Sequence, residues 1–268
     1  MTTHPLRLYR TIALGLFVTL IQTGCASKVV WSGQRQVDRN ARLTRGCVFY
    51  FDGAGGGTKD KNYGAGVVEG MLEAGYKGAG ELMAWETGKG LLKDQVASVE
   101  YKKSKAKESA VSIQEYSREH PGAPIELLGF SAGTAQAIFA LEALPEAVQV
   151  NRVVLLGTSI SHDYDLTEAL KRVSDKLYIF TSPHDRMVGT MMKLSGTADR
   201  KFRDAGAGVK GFVLPQGASE ATKQLYASKI VTIPYDESFK KDGDKGHHFD
   251  NVKKDFIREH VAPLLMER

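Results

Sequence analysis

The chain has 268 residues, 42% of them apolar and 25% charged, with 28 glycines, 8 prolines and only 2 cysteines. That composition excludes wholesale disorder, a collagen-like repeat and a disulfide-stapled scaffold, and the length gives one α/β-sized domain ample core. The net charge is +5, but Arg7 and Arg10 supply two of those charges before residue 25. The remaining +3 is too little for nucleic-acid binding, which needs Lys and Arg clustered on one face.

Met1–Arg10 is short and positive, Thr11–Ile21 is uncharged and mostly apolar, and Gln22-Thr23-Gly24-Cys25 follows. A positive segment ahead of a short apolar one is the pattern of a secretory signal, and a membrane-spanning helix would need about 20 apolar residues. Residues 1–24 are therefore expected to direct export. Gly24-Cys25 resembles the lipobox of bacterial lipoproteins, although Gln22 stands where Leu is usual. The resemblance implies acylation of Cys25, as with palmitate, and a membrane-anchored lipoprotein on the cell envelope. The alternative is cleavage nearby and a soluble secreted or periplasmic protein. Cys47 opens an apolar run and is expected to be core filling.

Residues 25–45 are polar and basic apart from Val29-Val30-Trp31 and read as a tether with one edge strand; residues 46–268 read as one domain. Strand-length apolar runs occur at Cys47–Phe51, Glu81–Trp85, Ile125–Gly129, Arg152–Gly157, Lys176–Thr181 and Lys229–Tyr235. Most are continuous, as in strands covered on both faces. Helical stretches are expected at Tyr63–Tyr76, Ala97–Glu119, Ala132–Leu144 and Phe249–Leu265. Strands alternating with helices predict an α/β fold, a mostly parallel sheet with helices on both faces. Lys102, Lys103, Lys105 and Lys107 read as the solvated side of a helix. The longest insertion, Gly189–Gly217, carries or adjoins Met187, Met191 and Met192 and reads either as a mobile rim or as an ordinary helix and loop.

Gly129-Phe130-Ser131-Ala132-Gly133 fits G-x-S-x-G between an expected strand and helix. A sharp turn there lifts the serine hydroxyl clear of the sheet, with a helix N-terminus behind it. From about residue 46 onward the chain resembles the α/β-hydrolase superfamily, without a large cap domain. Phe51-Asp52-Gly53-Ala54-Gly55-Gly56-Gly57 stands where that family has a His-Gly or glycine-rich oxyanion loop, with Asp52 in place of the usual His. The resemblance implies an oxyanion hole from the main chain of Ala132 and of Gly53, Ala54 or Gly55, Ala54 being the position favoured.

Ser182-Pro183-His184-Asp185-Arg186-Met187-Val188 fits the family's S-x-x-D-x-x-V acid loop, which implies that Asp185 is the acid; Asp163 and Asp165 compete for that role. The base is expected in Gly246-His247-His248-Phe249-Asp250. A base directly after Gly fits His247, while the family's His-Phe pairing favours His248. The order Ser131, Asp185, His is the superfamily's own. No Cys/His cluster has metal-ligand spacing, and no cofactor is implied. The expected activity is that of a serine hydrolase of carboxylic esters, esterase- or lipase-like, acting on a small-molecule or lipid ester. An acyltransferase or thioesterase with the same residues, or a non-catalytic membrane-tethered binding protein, are the alternatives.

Overall fold

The computed structural model describes residues 29–30, 36–56, 63–202 and 206–266. The export segment, Cys25 and Gly57 lie outside the described residues. Seven strands form one sheet: β1 (Val29–Val30), β2 (Cys47–Phe51), β3 (Ala79–Leu82), β4 (Ile125–Phe130), β5 (Val150–Leu156), β6 (Val173–Thr181) and β7 (Ile230–Pro234). Their spatial order is β1-β3-β2-β4-β5-β6-β7. Strands β2 to β7 are mutually parallel, and β1 alone runs antiparallel, Val29 opposite Leu82 and Val30 opposite Glu81.

The helices are α1 (Gln36–Leu43), α2 (Ala65–Glu73), α3 (Leu91–Val96), α4 (Val99–Glu119), α5 (Gly133–Ala143), α6 (Thr167–Leu170), α7 (Met192–Ser195), α8 (Ala207–Lys210), α9 (Glu220–Lys229), α10 (Lys254–Phe256) and α11 (Ala262–Met266). Ser98 caps α4 by accepting from the Tyr101 N–H, and Ser219 caps α9 in the same way through Thr222. Pro145 follows α5 directly after Leu144, an extended residue, as a residue preceding proline tends to be.

Alternate residues of each central strand feed two apolar layers. Phe49, Phe51, Leu127 and Leu155 pack with α4 and α5 through Ile113, Ala137 and Ile138. Val48, Tyr50, Leu128 and Val154 pack on the other side against Val67 and Met71 of α2 and against Phe256 and Ile257. Both faces are thus covered, which is why the strand sequences show little alternation.

Strands β5 and β6 begin two and three residues before the expected Arg152 and Lys176, and three further elements depart from the sequence reading. Strand β3 begins at Ala79, two residues before the expected Glu81. The polar stretch at residues 36–43 forms helix α1, whose Arg39 meets the buried Glu81 in an ion pair. The expected terminal helix from Phe249 starts only at Lys254, because residues 250–252 form a 3₁₀ turn and Lys253 is extended. A correction applies to Lys102. It is fully buried, not solvated, and its ammonium donates to the carbonyls of Gln95 and Ala198, each at 3.0 Å.

Candidate active site

The chain leaves β2 toward β3 on one side and returns to β4 on the other, so the strand order reverses between β2 and β4. In parallel α/β sheets the crevice at the carboxyl ends of such strands is where ligands bind. Gly53 and Ala54 follow β2 at this point, and Ser131 follows β4.

Ser131 has φ +53°, a left-handed conformation that is rare outside glycine. Two glycines make that turn possible by close packing. A Cβ on Gly133 would stand 2.1 Å from the Phe51 carbonyl oxygen, and one on Gly129 would stand 2.8 Å from Thr134 Cα. The Ser131 N–H donates to the Leu156 carbonyl at 2.9 Å, and Thr134 Oγ1 donates back to the Ser131 carbonyl at 2.6 Å.

His248 joins Ser131 to Asp185. Its Nε2 lies 2.8 Å from Ser131 Oγ and its Nδ1 2.8 Å from Asp185 Oδ2. Both the His248 and Asp185 side chains are buried. The other Asp185 oxygen accepts from the Val188 N–H at 2.9 Å, and Ser182 Oγ donates to the Gly246 carbonyl at 2.7 Å, which locks the acid loop to the histidine loop. Phe130 and Phe249 flank the imidazole, with ring centroids 5.0 and 5.2 Å away. A hydroxyl paired with an imidazole that a carboxylate orients is an activated nucleophile.

His247 is not part of this line. Its side chain is 68% exposed and lies 3.5 Å from Asp250. Neither competing acid approaches His248: Asp163 pairs with Lys201 at 2.6 Å, and Asp165 accepts from the Thr167 N–H and hydroxyl.

In the glycine loop, the Gly53 N–H is taken by Asp52 Oδ1 at 2.8 Å and that of Gly55 by Asp94 Oδ2 at 2.9 Å, so these two positions do not supply a free donor. The Ala54 and Ala132 N–H groups donate no hydrogen bond among the described residues. The two alanines pack together against Trp85. Asp52 is a structural hub: it accepts from the Tyr50 hydroxyl at 2.7 Å and the Tyr63 N–H at 2.8 Å, while its carbonyl accepts from Trp85 Nε1 at 2.9 Å. Burial, reinforced by the Asp52 charge, holds the Tyr50 phenol well above its usual range. Glu86 lies near this loop, and burial pushes its carboxyl up to about 7, the Asp94 and Asp52 charges adding to the effect.

Apolar side chains of Tyr63, Leu91, Phe130, Met187, Met192 and Phe249 line a cavity of about 40 Å³ over Ser131 and His248. Gln95 closes one wall, its amide donating toward Met192 Sδ and to the Gly196 carbonyl at 3.3 Å. The insertion that holds Met192 is pinned rather than loose at 196–199. Ala198 N–H donates to the Ser159 carbonyl at 2.9 Å, and Asp199 accepts from the Ser161 N–H and hydroxyl.

Four contributors escaped the sequence reading. Gly157 (φ +53°) leaves room for the imidazole: a Cβ there would stand 2.9 Å from His248 Cε1. Asp94 and Gln95 lie on α3, six residues without a periodic stripe, and Lys102 was hidden in an apparent charge run. Only Gly157, one residue past an apolar strand, carried a recognisable signal.

The parallel sheet with helices on both faces, the serine turn between β4 and α5 and the chain order Ser131, Asp185, His248 are those of a minimal α/β-hydrolase fold. No family model matches the sequence, and no curated protein matches it. Among solved structures, the chain is similar to the acylaminoacyl peptidase of Pyrococcus horikoshii, with 13% identity, TM-score 0.42, and 79% of this chain covered. It spans about a third of that peptidase, 34% of its length. It is also similar to the thioesterase domain SrfTE, which cyclises the lipopeptide antibiotic surfactin, with 12% identity, TM-score 0.40, and 82% and 89% of the two chains covered. A third likeness, to agmatine ureohydrolase of Thermoplasma volcanium, has 13% identity, TM-score 0.29, and coverage of 85% and 90%. Similarities this distant carry no argument about the reaction.

Proposed function

We propose that the protein is a serine hydrolase of carboxylic esters working through an acyl-enzyme. The observation that carries this reading is the hydrogen-bonded line Ser131–His248–Asp185, set at a strained turn beside the unengaged N–H groups of Ala54 and Ala132. With Nδ1 protonated and donating to Asp185, Nε2 accepts the Ser131 proton as Oγ attacks the acyl carbonyl. The tetrahedral oxyanion is held by the N–H groups of Ala54 and Ala132, aided by the N-terminus of α5. Collapse expels the alcohol, which takes the proton from His248. Water, deprotonated at the same nitrogen, then attacks the acyl carbon, and Ser131 leaves with the proton restored.

The test is labelling by a fluorophosphonate together with turnover of a panel of aryl esters. Wild type is expected to be labelled at Ser131, and Ser131→Ala to lose labelling and at least ~10⁴-fold in turnover. A wild type inert to both overturns the reading.

We further propose that Cys25 is acylated and anchors the chain to a membrane of the cell envelope. Loss of membrane-fraction protein in Cys25→Ser checks it; unchanged partition counts against it.

A further inference from the structure

We propose that the end of the molecule bearing Ser131 docks on an anionic lipid bilayer and takes its ester substrate from that surface. The docking stands on the surface itself; only the substrate rests on the hydrolase reading. Among the described residues eight large apolar side chains are exposed, and four of them gather at the cleft. Leu91 and Phe249, each 40% exposed, line the cavity and face solvent together. Leu92 (72%) and Val96 (46%) are exposed one turn apart on α3, each the immediate chain neighbour of a cleft-lining residue, Leu91 and Gln95. Scattered exposed apolar groups mean little, but a patch continuous with a cleft marks a docking surface.

Charge selects the occupant. Exposed Lys89, Lys93, Arg186 and Lys193 all lie within two positions of a cleft-lining residue. Every described acid equally close in sequence, namely Asp52, Asp94, Asp185 and Asp250, is buried. An apolar centre with a cationic rim matches the acyl region and the anionic headgroups of a bilayer, where each Lys or Arg near the surface contributes roughly five-fold in binding. A docked cleft would receive a lipid acyl chain from Leu91 and Phe249 without that chain crossing water.

Two measurements on the full chain test this. In the first, an environment-sensitive dye is attached at Leu92→Cys, with the dye-treated unsubstituted chain as blank. Phosphatidylglycerol-containing vesicles are expected to shift the emission to the blue, and pure phosphatidylcholine vesicles are not. Adding Lys89→Glu and Lys93→Glu should weaken the response more than ten-fold. No shift with anionic vesicles, a shift indifferent to those reversals, or one that grows with protein concentration without vesicles (self-association) each overturns the proposal.

In the second, Leu92→Asp/Val96→Asp is expected to lose at least ten-fold in hydrolysis of a vesicle-embedded ester while keeping a short soluble ester within two-fold. Equal loss on both esters, or no loss on either, overturns it. A wild type that hydrolyses neither ester but still gives the dye response would sink the hydrolase reading and leave the docking standing.

Discussion

At Gly157 a single methyl group would stand 2.9 Å from His248 Cε1 and 3.0 Å from Nδ1, on a residue whose φ of +53° already disfavours a side chain. Gly157→Ala should therefore displace the imidazole from Ser131. We expect labelling of Ser131 by a fluorophosphonate to slow about 10²-fold, as misplacement by about an ångström does, while stability falls by only ~1–2 kcal/mol. Normal labelling kinetics would show that the ring has room to spare. Asp94 is a positioning residue: its carboxylate holds the Gly55 N–H at 2.9 Å and the Thr87 N–H at 2.7 Å, and so shapes the loop that presents Ala54. Asp94→Ala should lower kcat by about ten-fold or more with KM nearly unchanged, since a misaimed oxyanion donor is felt only in the transition state. Asp94→Asn, which keeps one acceptor oxygen, should recover part of that loss. Ser131 and Asp185 stood out as candidates in the sequence because each sits in a short motif just after a strand, whereas the loop of His248, 14 residues beyond β7, offered His247 as well. Gly157 and Asp94 act through space on partners 91 and 39 residues away; a glycine closing an apolar run can be seen locally, but neither pairing can.

Helix α4 contributes a cation where its sequence suggests only a wet face. Lys102 ties together the carbonyls of Gln95, at the cleft wall, and Ala198, in the pinned insertion. Burial pushes its ammonium down to about 8, Arg200 acting in the same direction against the weaker opposing pull of Asp199 and Asp94. Between pH 8 and about 10.5 the folded protein therefore binds fewer protons at this site than the unfolded chain does, and stability rises with pH across that window, by up to ~3 kcal/mol. Denaturant titrations of wild type and Lys102→Met should show this climb in the difference between them, and parallel profiles would contradict it. The strands β2, β4 and β6 were legible because a strand covered on both faces must be apolar throughout. Helix α3 is too short to show a period, and α9 has only one fully buried residue, Tyr226, to reveal it.

For the molecule as a whole, the strand order assembles the site. Its residues come from four loops, and the reversal between β2 and β4 brings the glycine loop against the serine turn. The parallel sheet was readable in the alternation of strand and helix, whereas the reversal was not, because neighbouring strands do not announce their order. At the opposite end of the sheet, Glu126 on β4 is buried in the layer beside Tyr76, and burial raises its carboxyl to about 8 despite Arg152. The folded state keeps a proton there that the unfolded chain has already released, so this group costs stability progressively from about pH 4.5 to 8. Glu126→Gln should gain up to about 3 kcal/mol at pH 7 and little at pH 4.5, measured by denaturant titration. Because Lys102 contributes the opposite slope above pH 8, the two groups together should place a shallow stability minimum near that pH.

The short strand β1 also has a consequence for geometry. Since Val29 lies opposite Leu82, the last residue of β3, the chain joins the sheet from the same end that carries Ser131. Only Ala26, Ser27 and Lys28 separate it from Cys25, a span of at most about 14 Å even when fully extended. An acyl group on Cys25 would act as a very short leash fixed on the side of the cleft. On the proposed function, the protein would then meet its substrate in two dimensions, and its rate would follow the number of lipid esters per unit area beneath it rather than their concentration in the surrounding volume.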